Sequence, residues 1–218
     1  MSRRDQVLWF LGILVSSTGI GLWYHFAFGS NWVEVAAFVT GVLAVYLVVR
    51  ESYWNWPLGI FNVLLYFWVF MHSRLYADMT LQLFFLVFQV HGWWSWAKGG
   101  QGQTELRIQR IEMRKWLYVI GFIVVGTAVY IPIITHYKGS SPFWDSLLTV
   151  VSMAAQLLLN RKILENWILW IIADICYIPL FLSRGLYPTA LLYGIFLVLA
   201  ISGFVVWKKS YSSQEVAT

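Results

Sequence analysis

The residue best suited to chemistry in this sequence is Asp174, a carboxylate near the middle of the apolar run from Glu165 to Tyr187. Trp167 and Trp170 precede the acid, and no other acidic residue of the chain lies so deep in an apolar segment. A carboxylate in hydrocarbon is costly, so such a residue faces a cavity or a partner. Asp174 is therefore a candidate functional residue.

Four apolar segments carry polar or aromatic side chains at helical spacing. The stripes are Asn62 with Tyr66, Gln82 with Gln89, Gln156 with Asn160, and Trp170 with Asp174 and Tyr177. Residues three, four or seven positions apart share one face of a helix. Within a bilayer, amides must bond to another helix, to water or to a ligand. Each amide alone is equally well explained by bonding between helices, but four stripes favour a shared cavity.

The aromatic side chains beside these stripes indicate the chemistry of a ligand. Most of the 14 Trp and 12 Tyr fit the interfacial belts of a membrane protein. Trp56, Trp167 and Trp170 instead lie beside the amides and the acid. Aromatic faces stack on flat rings and attract cations, and every Lys and Arg lies at or near the end of an apolar segment. We therefore expect Asp174 to face a flat or cationic ligand.

The composition places these residues in a membrane. The 218 residues are 60% hydrophobic and 11% charged, whereas a soluble domain has about 25% charged residues. One integral membrane domain is expected, and its net charge of +5 suits an orientation signal better than nucleic-acid binding. The single Cys176 excludes an intrachain disulfide. No His spacing, phosphate loop or hydrolase motif indicates a metal, a cofactor or ATP.

Eight apolar segments predict an all-α integral membrane fold. They are residues 7–28, 32–49, 56–71, 75–97, 116–135, 143–159, 166–182 and 186–207, and most are long enough to span a bilayer. If all eight cross, twelve Lys and Arg lie on one side and three, Arg74, Lys138 and Arg184, on the other. This asymmetry predicts cytoplasmic termini. If the first segment only lies on the surface, the split weakens to ten against five.

The polar regions outside the segments are less clearly defined. The first segment lacks a small-residue cleavage site and is expected to be retained. The polar linker from Lys98 to Lys115 starts with glycines, and two structures are possible for it from Thr104 onward. One is a short surface helix with Ile108, Ile111 and Met113 towards the membrane, and the other is a solvated connector.

The sequence matches itself without a gap after one fixed shift, which we call the repeat shift and which places Arg50 on Arg161. The same shift matches Asn55 with Asn166, Trp56 with Trp167, Tyr66 with Tyr177, Gly92 with Gly203 and Trp96 with Trp207. It spans four crossings, so the halves would be parallel repeats, and transporter sites lie near the midplane where repeats meet. The predicted organisation is an N-terminal hydrophobic helix (1–31), a first three-helix repeat (32–97), a cytoplasmic linker and connecting helix (98–142), a second three-helix repeat (143–209) and a disordered tail (210–218).

The motifs resemble those of a known family. They are WNWPLGIFN from Trp54 to Asn62, YADMTLQ from Tyr76 to Gln82, Gln89 with Gly92 and Trp96, and NRKILENWILWIIAD from Asn160 to Asp174. These residues resemble the PnuC family of bacterial nicotinamide riboside transporters over roughly residues 34–209. The resemblance implies a 3+1+3 helix core related to SWEET sugar transporters, with one extra N-terminal helix. It also implies a bacterial inner-membrane homotrimer that takes up the riboside, an NAD precursor, by facilitated diffusion with phosphorylation inside the cell.

The substrate contacts implied by the resemblance fall on motif positions. They are Trp56, Asn62, Gln82, Gln89, Asn160, Trp167, Trp170, Asp174 and Tyr177, with no catalytic residue and no metal ligand. The nicotinamide ring of the riboside is a flat pyridinium cation, which agrees with the acid and aromatic faces. The alternative is a proton-coupled transporter of another small nucleoside or cationic aromatic solute.

Two other classes of protein compete with a transporter. A retinal protein needs a lysine inside a helix for its Schiff base, and no segment carries a central lysine. An intramembrane enzyme could use Asp174 as a general acid or base, but no second carboxylate or nucleophile lies at matching depth. We therefore do not expect an enzyme.

Overall fold

The computed structural model describes residues 3–72, 76–100, 102, 104–136 and 141–216 of the 218. Within these ranges the chain forms eight α-helices and no strand. They are α1 (Arg3–Phe28), α2 (Trp32–Val49), α3 (Asn55–His72), α4 (Tyr76–Lys98), α5 (Met113–His136), α6 (Pro142–Asn160), α7 (Asn166–Ser183) and α8 (Tyr187–Val216). The expected all-α fold is therefore confirmed. Leu75, the predicted start of the fourth segment, and Arg74 and Lys138 lie outside the described residues.

Several helix ends follow local sequence signals. Asn31 caps α2, because its side-chain oxygen accepts a hydrogen bond from the Val33 backbone N–H at 3.0 Å. Pro142 takes the first position of α6, where its missing N–H is not needed. Gly29 follows α1 with a φ of +68°, a conformation that costs glycine little. Local sequence thus explains why these helices begin and end where the apolar runs do.

Six helices in the described part of the chain are long and apolar enough to cross a membrane, namely α1, α2, α5, α6, α7 and α8. The other two, α3 and α4, contain Asn62, Gln82, Gln89 and several tryptophans, and these polar atoms lower the mean hydropathy. Both helices carry predicted functional amides, as α6 also does with Asn160.

The chain divides into two compact units, Met1–Trp94 and Ser95–Thr218. In the first unit, α1 packs on α2, and α2 packs on α3. In the second, α5 packs on α6, α6 on α7, and α7 on α8. The division falls inside α4, shortly before the predicted end of the first repeat.

The second unit has an apolar core where α6 meets α7. Its buried members are Val151, Ala154, Ala155, Leu158, Ile163, Leu169 and Ala173. Trp116 and Ile123 of α5 pack against this core from one side, and Trp170 and Tyr177 of α7 also contact it. Gly126 lets α5 approach closely, because a Cβ there would lie 2.8 Å from the Val150 side chain. This packing fixes α7, the helix that carries Asp174.

The segment before α5, residues 104–112, forms an ordered strap on the second unit. Gln109 pairs with Ile163 in an isolated parallel β-bridge. The Gln109 N–H donates to the Lys162 carbonyl at 3.1 Å, and the Leu164 N–H donates to the Gln109 carbonyl at 2.8 Å. The strap is therefore hydrogen-bonded to the turn between α6 and α7.

Of the two forms predicted for this part of the linker, the surface helix is wrong and the solvated connector is right only for one side of the strap. Leu106 and Ile108 are buried, at 7% and 3% exposure, whereas Glu105, Arg107 and Gln109 are exposed, so the strap is an extended segment with one side packed and the other side solvated. The physical reason is non-local, since the α6–α7 turn offers backbone partners and an apolar surface that an extended segment can cover.

The end of α8 also differs from the prediction. We expected residues 210–218 to be disordered, but the helix continues to Val216. The hydroxyls of Ser212 and Ser213 donate to carbonyl oxygens four residues earlier, at 3.1 and 3.0 Å. No Pro or Gly interrupts this polar segment, so nothing in it ends a helix that has already formed. The last two residues lie outside the described ranges.

The helices recur under the repeat shift seen in the sequence. The first and last residues of α3 fall on the first and last residues of α7, and the start of α4 falls on the start of α8. The turns that precede α3 and α7 also match, because Glu51 and Lys162 have φ values of 53° and 54°. Asn55 and Asn166 each donate from the side-chain amide to the carbonyl three residues earlier, at 2.6 Å. A positive φ is uncommon for residues other than glycine, so its recurrence supports a repeated backbone.

Candidate functional site

Asp174 lies in the middle of α7 with 2% of its surface exposed. Among the described residues, no side chain donates a hydrogen bond to its carboxylate and no basic group lies within ion-pair distance. Its neighbours Leu169 and Ala173 belong to the apolar core of the second unit. Burial of an unpaired charge costs several kcal/mol, by order of magnitude, in proteins. This arrangement suits a carboxylate that binds a cationic ligand.

Tyr177, one turn after the acid, connects α7 to α6. Its hydroxyl lies close to the side-chain hydroxyls of Thr149 and Ser152. Its ring lies against Phe181 at a centroid distance of 5.4 Å and an interplanar angle of 12°, and against Tyr193 at 4.7 Å. Aromatic packing therefore holds the ring, and two hydroxyls of α6 lie near its phenolic oxygen.

The hydroxyls of Thr149 and Ser152 were missed at the sequence level, although a signal for them exists. Thr149, Ser152, Gln156 and Asn160 follow one another at spacings of three, four and four residues, which place them on one face of α6. The Gln156 amide donates to the Asn160 side-chain oxygen at 2.9 Å, and both residues are buried. Extension of the predicted amide stripe by one and two helical turns would have found both hydroxyls.

The two predicted tryptophans of α7 have different surroundings. Trp167 is 2% exposed and meets Trp207 edge to face at 5.4 Å and 86°. A Cβ at Gly203 would lie 2.5 Å from the Trp167 ring, so the glycine makes room for it. The indole N–H of Trp167 is buried and has no hydrogen-bond partner in the described part of the chain. Trp170 is half-buried and packs on the apolar core, so it keeps accessible surface that Trp167 lacks.

Asn62 of the first unit is held by α2. Its amide nitrogen donates to the Ala37 carbonyl at 2.6 Å and to the Thr40 hydroxyl oxygen at 2.9 Å. The Thr40 hydroxyl in turn donates to the Ala36 carbonyl at 2.6 Å. Because both amide hydrogens of Asn62 are used, a ligand would bind to its side-chain oxygen, which is a hydrogen-bond acceptor.

Gln89 of α4 lies against Gly59 of α3. A Cβ at Gly59 would lie 2.8 Å from the amide atoms of Gln89, so the absence of a side chain there lets the amide approach. Trp56, one turn before Gly59, is fully buried. Gln82 is half-buried and lies seven residues before Gln89 on α4. The first unit thus holds its predicted residues on α3 and α4.

The nine predicted residues fall into two sets. Trp56, Asn62, Gln82 and Gln89 belong to the first unit, and Asn160, Trp167, Trp170, Asp174 and Tyr177 belong to the second. The structure adds Thr40, Gly59, Thr149 and Ser152 as residues that lie against members of these sets, and it places Gln156, already part of a predicted stripe, in a hydrogen bond with Asn160. Within the described ranges, no group of three or more His, Cys, Asp or Glu residues could hold a metal ion.

These features define the class of protein. Long apolar helices, six of which in the described part of the chain can cross a membrane, contain buried amides and one unpaired buried carboxylate. Buried polar groups of this kind in membrane helices mark substrate or ion pathways. The protein is a multi-pass membrane protein whose buried polar groups are typical of a transporter.

The comparison with protein families agrees with this class. A family model described as "Nicotinamide mononucleotide transporter" matches residues 31–209, and the chain belongs to this family. Its members are membrane transporters and not enzymes. The match begins after α1, the helix that the motif resemblance also left out.

Individual relatives carry related names. The nicotinamide riboside transporter PnuC of Escherichia coli is 30% identical over 208 residues, which cover 83% of this chain and 86% of that protein. PnuC of Neisseria mucosa is 32% identical over 191 residues, covering 82% and 73%. The riboflavin/roseoflavin transporter RibM of Streptomyces davaonensis is 23% identical over 181 residues, covering 81% and 84%.

A solved structure resembles this chain as well. The crystal structure of the vitamin B3 transporter PnuC matches it with a TM-score of 0.76 and 30% sequence identity, covering 98% of this chain and 94% of that one. The resemblance to the PnuC family that the motifs indicated is therefore confirmed.

Proposed function

We propose that this protein carries nicotinamide riboside across the membrane by facilitated diffusion, with Asp174 as the counter-charge of the pyridinium ring. The observation that carries this proposal is the buried Asp174 carboxylate, which has no basic partner among the described residues. A cation that enters such a site offsets the cost of burying the carboxylate. Aromatic faces at Trp170 and Tyr177 on the same helix add attraction for a flat cation.

A fixed counter-charge explains the second unit better than a proton carrier does. A proton relay needs a second titratable acid or base that can exchange with Asp174. The nearest acids along the chain, Asp145 and Glu165, are paired with Arg184 at 2.8 Å and Arg110 at 3.0 Å. Both acids lie at the start of a helix, Asp145 in α6 and Glu165 directly before α7, so neither acid is available as a relay to the middle of α7.

The other proposed contacts follow from how their side chains are held. Trp170 and Tyr177 offer ring surface, and Asn160 offers an amide that Gln156 orients. Asn62 offers an acceptor oxygen, which suits a donor such as a ribose hydroxyl or a carboxamide NH₂. The remaining proposed contacts are Trp56, Gln82, Gln89 and Trp167, of which Trp167 acts largely through packing.

The distribution of basic residues predicts that phosphate is excluded from the site. In the described residues, the middle of each helix from α1 to α7 contains no Lys or Arg. An uncompensated dianion is very costly to bury. The family description names the mononucleotide whereas the PnuC relatives are named for the riboside, and the charges of this chain favour the riboside.

The architecture proposed for this function is a 3+1+3 arrangement of parallel three-helix repeats. In it, α2–α4 and α6–α8 are the repeats, α5 connects them, and α1 is an additional helix. The recurrence of helix bounds, positive φ values and Asn side-chain bonds under the repeat shift supports it. The proposal also includes eight crossings and cytoplasmic termini, on the basis of the Lys and Arg distribution. It further includes a bacterial inner-membrane location and a homotrimer, on the basis of the family resemblance.

Uptake of labelled nicotinamide riboside into proteoliposomes tests the proposal. We expect uptake that reaches equilibrium without a proton or sodium gradient, and internal label that is still the riboside. Protein-free liposomes are the control, and riboflavin, whose ring carries no cation, should compete weakly. Absence of uptake, dependence on a gradient, or conversion of the riboside into another compound would contradict the proposal.

A further inference from the structure

The strap is joined to the second unit through one buried carboxylate, that of Glu165. One of its oxygens accepts a hydrogen bond from the Arg110 side chain at 3.0 Å, and the other accepts from the Ile111 backbone N–H at 2.9 Å. Glu165 is 4% exposed, whereas the Arg110 side chain is 62% exposed. Both oxygens of a buried acid are thus engaged by the strap.

Glu165 occupies the residue directly before α7. A polar side chain at this position commonly accepts a hydrogen bond from the first turn of its own helix. Glu165 makes no such bond, because its carboxylate is turned towards the strap. The helix that follows carries Trp170, Asp174 and Tyr177, so a contact that fixes its first turn also fixes where these side chains point.

Further contacts join the strap, the α6–α7 turn and the end of α4. The Lys162 ammonium lies 4.8 Å from the centre of the Trp96 ring. The Trp96 indole donates to the Leu159 carbonyl at 3.0 Å, and the Leu106 N–H donates to the Trp96 carbonyl at 3.0 Å. Glu165 therefore completes a hydrogen-bonded assembly and is not an isolated surface pair.

The turn itself does not require this contact. The residue at the matching place before α3 is Trp54, which is 72% exposed. That turn nevertheless has the same positive φ and the same Asn side-chain bond as the turn before α7. A role in shaping the turn therefore does not explain why the acid before α7 is buried under the strap.

We propose that Glu165 is a positioning residue for transport, which acts through the strap to fix the first turn of α7 and hence the Asp174 carboxylate. Glu165 does not touch the substrate. The inference rests on the proposed function, because its readout is the binding of nicotinamide riboside.

The first test compares three variants by calorimetry with the riboside, well below their melting temperatures. Glu165→Ala removes both hydrogen bonds and should raise the Kd about tenfold, since bonds to charged groups are the stronger ones. Glu165→Gln keeps an acceptor for Ile111 and should raise the Kd about threefold. Glu112→Gln is the control, because it breaks the exposed pair with Lys115 in the same segment and should leave the Kd unchanged.

The second test separates positioning from folding. In a Cys176→Ser background, Glu165→Ala is combined with Gln109→Cys and Ile163→Cys, which place two cysteines at the β-bridge. Bridged residues lie about 5 Å apart, within the range of a disulfide. The oxidised protein should recover riboside affinity, and reduction of the same sample should remove it.

The outcomes distinguish this inference from the proposed function. Equal riboside affinity in the oxidised and reduced protein, or wild-type affinity in Glu165→Ala, would overturn the positioning role and leave the proposed function intact. Wild-type protein that binds no riboside would overturn both.

Discussion

The turn before α3 and the turn before α7 share a backbone but differ in what covers them. Glu51 and Lys162 adopt the same left-handed conformation, and the Asn that begins each helix makes the same 2.6 Å side-chain bond. The turns differ at the residue directly before each helix, since Trp54 is 72% exposed whereas Glu165 is 4% exposed and lies beneath the strap. The repeated sequence thus specifies the turn, and the partner is specific to the second unit.

The same difference holds for the functional side chains. Under the repeat shift, each of five predicted polar residues is matched by a residue without its chemistry. The pairs are Asp174 with Val63, Asn62 with Ala173, Gln89 with Ala200, Gln156 with Val45, and Asn160 with Val49. Trp56 and Trp167, and Tyr66 and Tyr177, keep their type. The scaffold is duplicated and the chemistry is not, so we expect one cation-binding carboxylate per chain.

The largest effect on stability is expected at Gly203. In Gly203→Ala the new Cβ would lie 2.5 Å from the Trp167 ring, and that ring is backed by Trp207. The free energy of unfolding should fall by about 1–3 kcal/mol, the usual cost of overpacking a core. Gly194→Ala on the same helix has nothing within 4 Å and should be neutral or slightly stabilising. Equal melting temperatures in detergent would show that Gly203 does not serve Trp167.

A smaller effect is expected when the first unit is made to resemble the second at Thr40. Val151 stands at the matching position, and Thr40→Val removes one acceptor of the Asn62 amide. We expect a loss of about 1 kcal/mol in stability and weaker riboside binding, because Asn62 is no longer fixed. Thr135→Val is the control, since the hydroxyl of Thr135 bonds to the Ile131 carbonyl of its own helix. Unchanged binding in Thr40→Val would refute the orientation assigned to Asn62.

A still smaller effect is expected at Ser152. Ser152→Ala removes one of the two α6 hydroxyls that lie close to the Tyr177 hydroxyl and leaves Thr149 in place. The expected loss of stability is about 0.5–1 kcal/mol. Ser202→Ala, whose hydroxyl bonds to the Val198 carbonyl of its own helix, is the matched control. If both serine variants melt at the same temperature, the link between α6 and α7 does not depend on Ser152.

The smallest effect on stability is expected at Gly59, in contrast to Gly203. In Gly59→Ala the Cβ would meet the Gln89 amide at 2.8 Å, which is the end of a flexible side chain and can move. Stability should change by no more than about 0.5 kcal/mol, whereas the displaced amide should weaken riboside binding. Gly12→Ala is the control for replacing a helical glycine by alanine, because a Cβ there has nothing within 4 Å. A large loss of stability in Gly59→Ala would mean that Gln89 is held rigidly.

Much of the fold could be read from the sequence, because apolar runs and capping residues act locally. α2 has the predicted ends, Trp32 and Val49, and α7 begins at the predicted Asn166. The strap could not be predicted, because its burial depends on Glu165 and the α6–α7 turn, which lie far along the chain from it. The helical end of α8 was missed because polarity alone was taken as a sign of disorder.

The candidate site could be predicted from the sequence to a similar extent. Asp174 is conspicuous because a carboxylate is rare inside an apolar segment. Thr40, Thr149 and Ser152 are not conspicuous, because hydroxyls in helices often bond to their own backbone. The role of Gly59 depends on the shape of a contact with Gln89, and no residue pattern encodes such a contact.

The central claim is that a single carboxylate pairs with the cation of the substrate. The most direct measurement is the binding of nicotinamide riboside, and of its reduced form with an uncharged ring, to wild-type protein and to Asp174→Asn. Asp145→Asn is the control acid, because Asp145 is already paired with Arg184. We predict that Asp174→Asn weakens riboside binding by about 1–3 kcal/mol and leaves the reduced form unaffected. If Asp174→Asn keeps riboside affinity and instead abolishes accumulation driven by a proton gradient, the counter-charge account is wrong and Asp174 carries a proton.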